Sequence, residues 1–151
     1  MRTFIHYGDS RFSTEKFESI KNIEFRNKPS GGLWASDIKS PYGWFEWCEN
    51  NEFYTERNTP DNCFGFRLSE SAKICTLCCE ADIEKLPIKA KRLRSDWTKK
   101  YIPDFEEAIR RGYDVIDYRL SDDVCGGLYY ALYGWDCDSI LVLNPNVIIP
   151  M

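Results

Sequence analysis

"IPDFEEAIRRGYDVIDYRL", residues 102–120, reads as a helix that stops and a strand that follows. Its apolar residues recur at a helical period, Arg110 and Arg111 sit where a helix would end, Gly112 comes next, and the run beyond it is extended in character. Working outward, "GGLYYALYGWDCDSILVLNPNVI" (126–148) predicts a short helix, a turn and the most apolar strand of the chain, "SILVLN" (139–144), stopped by Pro145. Upstream, "RTFIHY" (2–7) and "GGLWAS" (31–36) predict strands, and "PYGWFEWCENNE" (41–52) has the aromatic spacing of a short helix. "CFGFRLSESAKICTL" (63–77) predicts two extended runs parted by a polar turn, and "DIEKLPIKAKRLRSDW" (82–97) a charged connector broken at Pro87. Strands with few helices between them, and no internal repeat, predict one α+β domain over residues 1–151.

Composition agrees: 151 residues with 43% hydrophobic and 29% charged side chains is ordinary for one globular core. A chain of this size buries roughly two thirds of its unfolded surface, so it needs neither metal nor cross-link to fold. No window approaches the roughly eighteen apolar residues of a membrane span, and residues 1–12 lack a long apolar stretch, so no secretory leader is expected. The seven cysteines are odd in number, so reduced thiols and a soluble, cytoplasmic protein are expected. Cys75 and Cys78 have C-x-x-C spacing, which would ligate zinc if Cys63 or Cys48 came near; without a second such pair, the favoured reading is a strand whose thiols act as small hydrophobes, and no metal.

Charge is segregated. Between Lys85 and Lys100 seven basic residues face one acid, Asp96, a net +6 in a chain whose total is −4, so the remainder carries −10. With Trp97 and Tyr101 interleaved, the segment suits a phosphate backbone with stacked bases, or an acidic protein; the plainer reading is a solvated connector.

The only histidine, His6, lies in "HYGDS" (6–10). Taken in order, "HYGDS", "GGLWASDIKSPYGW", "LSESAKICTL", "FEEAIRRGYDVI" and "DCDSILVLNPNVI" resemble the ADP-ribosyltransferase superfamily, and more closely its diphtheria-toxin and poly(ADP-ribose) polymerase branch. The first is similar to the branch's His-Gly-Ser motif, with Tyr7 where that motif has glycine. The resemblance implies a split β-sandwich with a few short helices, and an enzyme that takes NAD as substrate and transfers ADP-ribose to a protein or nucleic acid. A toxin or mobile-element effector of this kind would work beside a cognate inhibitor. It also leaves room for an NAD glycohydrolase, with water as acceptor, or for a module that binds NAD or a partner without turnover.

The implied chemistry breaks the nicotinamide–ribose bond through an oxocarbenium-like transition state, which a carboxylate stabilises. The candidates are Asp136 and Asp138, whose i, i+2 spacing puts both on one face of an extended segment and is similar to the family's Glu-x-Glu pair, each one methylene shorter. The resemblance assigns His6 to a ribose hydroxyl and the backbone at Tyr7 and Gly8 to the nicotinamide amide. Gly32, beside Gly31, reads as a close-approach glycine or equally as a turn into a strand, and the resemblance has Ser36 orient the acid or touch the nicotinamide ribose. Trp34, Tyr42, Trp44 and Trp47 are candidates for the ring that stacks on nicotinamide.

Overall fold

The computed structural model describes residues 2–53, 56–92 and 99–151, with backbone alone for 90–92 and 99–100. Among the described residues nine strands and three α-helices follow in the order β1 (Phe4–Tyr7), β2 (Leu33–Asp37), α1 (Trp44–Asn50), β3 (Cys63–Leu68), β4 (Ile74–Leu77), β5 (Ile88–Arg92), β6 (Lys99–Pro103), α2 (Phe105–Arg110), β7 (Val115–Tyr118), α3 (Gly126–Ala131), β8 (Ser139–Val142) and β9 (Ile148–Pro150). Seven strands form one sheet in the order β4-β7-β8-β2-β1-β3-β9, while β5 and β6 make a separate hairpin. Every junction of the large sheet is antiparallel except β4–β7. The chain is thus a mixed, mostly antiparallel α+β fold.

The stretch 102–120 divides as its chemistry dictates. Pro103 closes β6, and Asp104 caps α2 by accepting a hydrogen bond from the Glu107 N–H. Gly112, at φ +82°, ends the helix in the left-handed region. In β7, Val115 faces one core and Ile116 and Tyr118 the other. Strand β8 does the same, with Ile140 and Val142 against Leu141, which explains the unbroken apolar run at 139–144: a strand buried on both faces has no polar side to show.

The first core lies between this sheet and the helices, where Phe105 and Ala108 of α2 and Leu128 and Ala131 of α3 meet Leu77, Ile116 and Leu141. The second joins Phe4 and Phe66, from β1 and β3, to Val115, Ile140 and Val142. The β1-β3-β9 half of the sheet therefore folds over the β7-β8 half. Strand β2 is the hinge of that arrangement, since Leu33–Ala35 pair with β8 whereas only Ser36 and Asp37 pair with β1.

Two expected elements differ. The aromatic run 41–52 is helical only over Trp44–Asn50. The connector at 82–97 holds part of a 3-10 helix, Glu80–Lys85, and then strand β5, whose partner β6 lies beyond it in sequence. Residues 93–98, with Arg94, Asp96 and Trp97, lie outside the described residues. Strand β9, at the end of the chain, was not anticipated; its register places Ile148 opposite Leu68. Among the described residues no helix is long and apolar enough to cross a membrane.

Candidate functional site

Pairing between β1 and β2 ends at Ile5–Ser36, and a cleft of about 550 Å³ opens where the strands part. His6 stands at the fork. Its Nδ1 lies 2.7 Å from the Trp34 carbonyl oxygen, which can only accept, so Nδ1 carries the proton and Nε2 is left as an acceptor in the neutral ring. Burial lowers the imidazole pKa, with positive Arg57 nearby acting in the same direction, against the Trp34 hydrogen bond and Asp9. Phe64 supports the ring at a centroid distance of 5.1 Å.

A pH dependence follows. A histidine whose folded pKa lies below its unfolded value near 6.5 contributes stability that is whole above that value and lost as pH falls through the folded one. Thermal melts of the parent chain are expected to drop on acidification below about 6.5, and those of His6→Gln to lack that component. Parallel curves for the two proteins would overturn this assignment.

One wall of the cleft is α1 and the loop after it. Trp44 stacks on Trp47 at 5.2 Å with a 10° interplanar angle, and its indole N–H donates to Asn58 Oδ1 at 3.1 Å. Phe53 meets both rings edge-on. Tyr7 stacks on Phe45 at 5.9 Å. Opposite, Trp34 packs edge-on against Trp135 at 4.6 Å, and the Lys28 ammonium lies 5.8 Å from the Trp34 ring centroid.

Of the residues singled out by sequence, His6, Tyr7, Gly8, Trp34, Ser36, Trp44 and Asp136 line this one cleft. Gly32 does not. Its φ is +74°, and a Cβ there would stand 2.6 Å from Ile20 Cδ1 and 2.8 Å from Leu141 Cδ1, so it lets the chain enter β2 beneath the first core. Tyr42 has its side chain in solvent and its carbonyl accepting from the Asp138 N–H at 2.8 Å.

The two aspartates part company. Residues 137–138 form a bend rather than extended chain, so i, i+2 alternation does not apply to them. The Asp138 carboxylate accepts from the Leu120 N–H and the Ser40 hydroxyl, each at 2.7 Å, and fastens the approach to β8. Asp136 is exposed on the cleft, and no hydrogen bond to its carboxylate is seen among the described residues. Ser36 is engaged twice: its hydroxyl donates to the Asp138 carbonyl at 2.8 Å and accepts from the Trp44 N–H at 2.9 Å, which couples the acid-bearing segment to the start of α1.

Sequence reasoning missed Lys28, Arg57, Asn58, Trp135 and Cys137, all of which line the cleft. Lys28 and Arg57 stand in polar loops with no local signature, and only tertiary folding brings the two cations to one aromatic cavity. Burial pushes the Cys137 thiol pKa up, which keeps it protonated rather than nucleophilic.

The cysteine stretch has another arrangement. Cys75 is buried in β4, its thiol pushed up to about 11 by burial. Ligand atoms of Cys78, Cys79 and Asp82 fall within 4.8 Å of one another. The Asp82 carboxylate, however, already accepts from the Lys85 ammonium and from the backbone N–H groups of Cys78 and Cys79, and Lys85 first, then the Cys78 N–H and the two thiols, hold its pKa well below the carboxylate range. It serves as a local cap.

No family model, curated protein or solved structure matches the chain.

Proposed function

We propose that the cleft binds NAD and that the chain is an ADP-ribosyltransferase acting on a macromolecular acceptor. One observation carries this reading: residues 6, 34, 44 and 136, drawn from three separate motifs of the resemblance, line a single cavity. The folding of one half-sheet over the other, with short helices outside, is consistent with a split β-sandwich.

The roles follow from the chemistry of each group. Neutral His6 accepts a ribose hydroxyl at Nε2, its orientation held by Trp34. Trp44, with one face against Trp47, offers the other to the nicotinamide ring. Asp136 stabilises the positive charge that grows on the ribose as the glycosidic bond lengthens. Ser36 acts as a positioning residue through the Asp138 carbonyl, and Lys28 and Arg57 supply positive charge for the diphosphate.

A second reading, an NAD-binding module without turnover, draws on the withdrawal of Asp138 and on the exposure of Asp136. The experiment that separates them is nicotinamide release from NAD, with and without cell lysate. Lysate-dependent release is the expected result; release without lysate indicates a glycohydrolase, and none in either tube, with NAD binding retained, establishes the module.

A further inference from the structure

We infer that Cys78, Cys79 and Asp82 form a zinc site at the start of the 3-10 helix Glu80–Lys85, apart from the cleft. Ligand atoms of the three fall within 4.8 Å of one another, and among the described residues theirs is the one group of His, Cys, Asp and Glu side chains gathered closely enough to hold an ion. The C-x-x-C pair of the sequence does not supply it, because Cys75 is buried in β4. The thiols that converge are the adjacent ones.

Neighbouring side chains point apart in extended chain. Here both turn to one atom: the thiols of Cys78 and Cys79 donate to Asp82 Oδ2 at 3.4 and 3.5 Å. Those lengths suit the edges of a metal polyhedron. With Zn–S bonds of about 2.3 Å and Zn–O bonds of about 2.0–2.2 Å, tetrahedral angles set each S···O edge at about 3.5–3.7 Å and the S···S edge at about 3.8 Å. The sulfurs therefore close by about 1 Å at most to meet one ion.

The frame around the thiols is fixed. The Ser121 hydroxyl donates to the Cys78 carbonyl at 2.7 Å, the Arg119 N–H to the Leu77 carbonyl at 3.0 Å, and the Glu80 N–H to the Asp123 carbonyl at 2.9 Å. The Glu80 carboxylate in turn accepts from the Gly127 and Leu128 N–H groups at the start of α3. Ligands held on such a frame lose little freedom on binding. Cys78 is exposed and Cys79 half-buried, so an ion reaches them from solvent.

Charge and protons balance. Asp82 is held ionised, with Lys85 on its other oxygen, Oδ1. Zinc takes the place of the two thiol protons on Oδ2, which leave to solvent as the two Zn–S bonds form. Lys85 and the backbone N–H groups of Cys78 and Cys79 keep their hold, so Asp82 remains a cap. Dipositive zinc, two thiolates, one carboxylate and one ammonium leave the filled site neutral. Two sulfurs select a soft ion over magnesium or calcium, and three protein ligands leave the fourth position to water. None of the three residues lines the cleft, so the inference holds whether or not the cleft binds NAD.

The test is a zinc titration of the full chain, reduced and stripped of metal, against a colorimetric zinc indicator. Cadmium is the second probe, since its thiolate charge-transfer band reports sulfur ligation. One zinc per chain is expected, with a dissociation constant below about 1 µM, short of the tightest four-ligand sites. Losing a partner that merely supports a metal ligand costs about 10- to 100-fold, so Cys78→Ser and Cys79→Ser are each expected to weaken zinc at least about a hundredfold and to diminish the cadmium band. Cys79 occupies the N-cap of the 3-10 helix, where serine is favoured, so its variant is expected to fold. Asp82→Asn is expected to weaken zinc about tenfold or more. Cys125→Ser, which removes an exposed thiol outside the site, is expected to leave both signals unchanged.

Thermal melts establish folding. Should Asp82→Asn fail to fold, the cadmium-113 resonance of the parent chain reads the ligand set directly, and a position typical of two sulfurs with oxygen is expected. No zinc bound, or unaltered affinity in folded Cys78→Ser or Cys79→Ser, would overturn the site. An equal loss in Cys125→Ser would overturn its location. Unaltered affinity in folded Asp82→Asn, or a cadmium resonance typical of three or four sulfurs, would overturn the carboxylate as third ligand.

Discussion

Asp136→Asn is expected to slow nicotinamide release about a hundred- to a thousandfold, with NAD affinity and melting temperature close to those of the parent chain. The expectation rests on position and charge. Asp136 is at the cleft surface, so replacing its carboxylate with an amide of the same shape removes charge without opening the core. A growing oxocarbenium ion in a cleft lined by Trp34, Trp44 and Trp135 lies against apolar rings, where a fixed negative charge acts more strongly than in open water. Steady-state kinetics should place the loss in kcat with little change in KM, because the charge being stabilised is small until the bond lengthens.

Asp138→Asn provides the internal contrast. Its carboxylate accepts two hydrogen bonds, from Leu120 and Ser40, so weakening them is expected to cost about 1–3 kcal/mol of stability. Activity should fall only as far as the approach to β8 loosens. Full activity in Asp136→Asn would remove the mechanistic core of the proposal, and a kinetic loss confined to Asp138→Asn would move the acid to the other aspartate.

Arg2→Met is expected to lower the free energy of unfolding by about 3 kcal/mol, toward the low end of the range for breaking a buried ion pair. The guanidinium donates to Asp37 of β2 and to Asp117 of β7, two strands that are not neighbours but are separated by β8. Asp117 is 2% exposed, so removing Arg2 leaves a buried carboxylate with one remaining cation, Arg119, at 3.1 Å. Methionine keeps much of the bulk, and the surviving Arg119 contact limits the loss.

The same network sets an acid dependence. Burial by itself would raise the Asp37 pKa, but the Arg2 hydrogen bond and charge, with the Lys39 N–H, outweigh it and hold the pKa below the ordinary value. A lowered folded-state pKa means stability that is complete above about 4 and lost as pH falls through the lowered value. Urea midpoints at pH 7 and through the acid range test both points. An unchanged midpoint at pH 7 would show that the network contributes nothing net, and an unchanged acid slope in Arg2→Met would separate Asp37 from Arg2.

Much of the fold was legible because it is local. The stop at Arg110–Gly112, the strand after it and the apolar run at 139–144 depend on neighbours within a few residues, and the structure has them. The β5–β6 hairpin was not legible. Its charged alternation acquires a strand partner only across residues 93–98, and charge alone reads as a solvated connector. The aspartate pair failed for a related reason: spacing predicts a shared face only in extended chain, and the bend at 137–138, secured by the Asp138 N–H on Tyr42, is a tertiary contact.

By itself, then, the sequence determined an α+β chain, the places of β1, β2, α2, β7 and β8, and a short list of residues among which the cleft's histidine, two of its tryptophans and its aspartate were found. Propensity, capping and apolar period act over a few residues and leave their mark in the order of the letters. Tertiary structure alone decided where β1 and β2 part, which aspartate faces the cleft, that Lys28 and Arg57 enter it, and that β5 finds its partner in β6. Those outcomes depend on pairing between strands far apart in the chain, and nothing in a local stretch records which distant partner will satisfy its backbone.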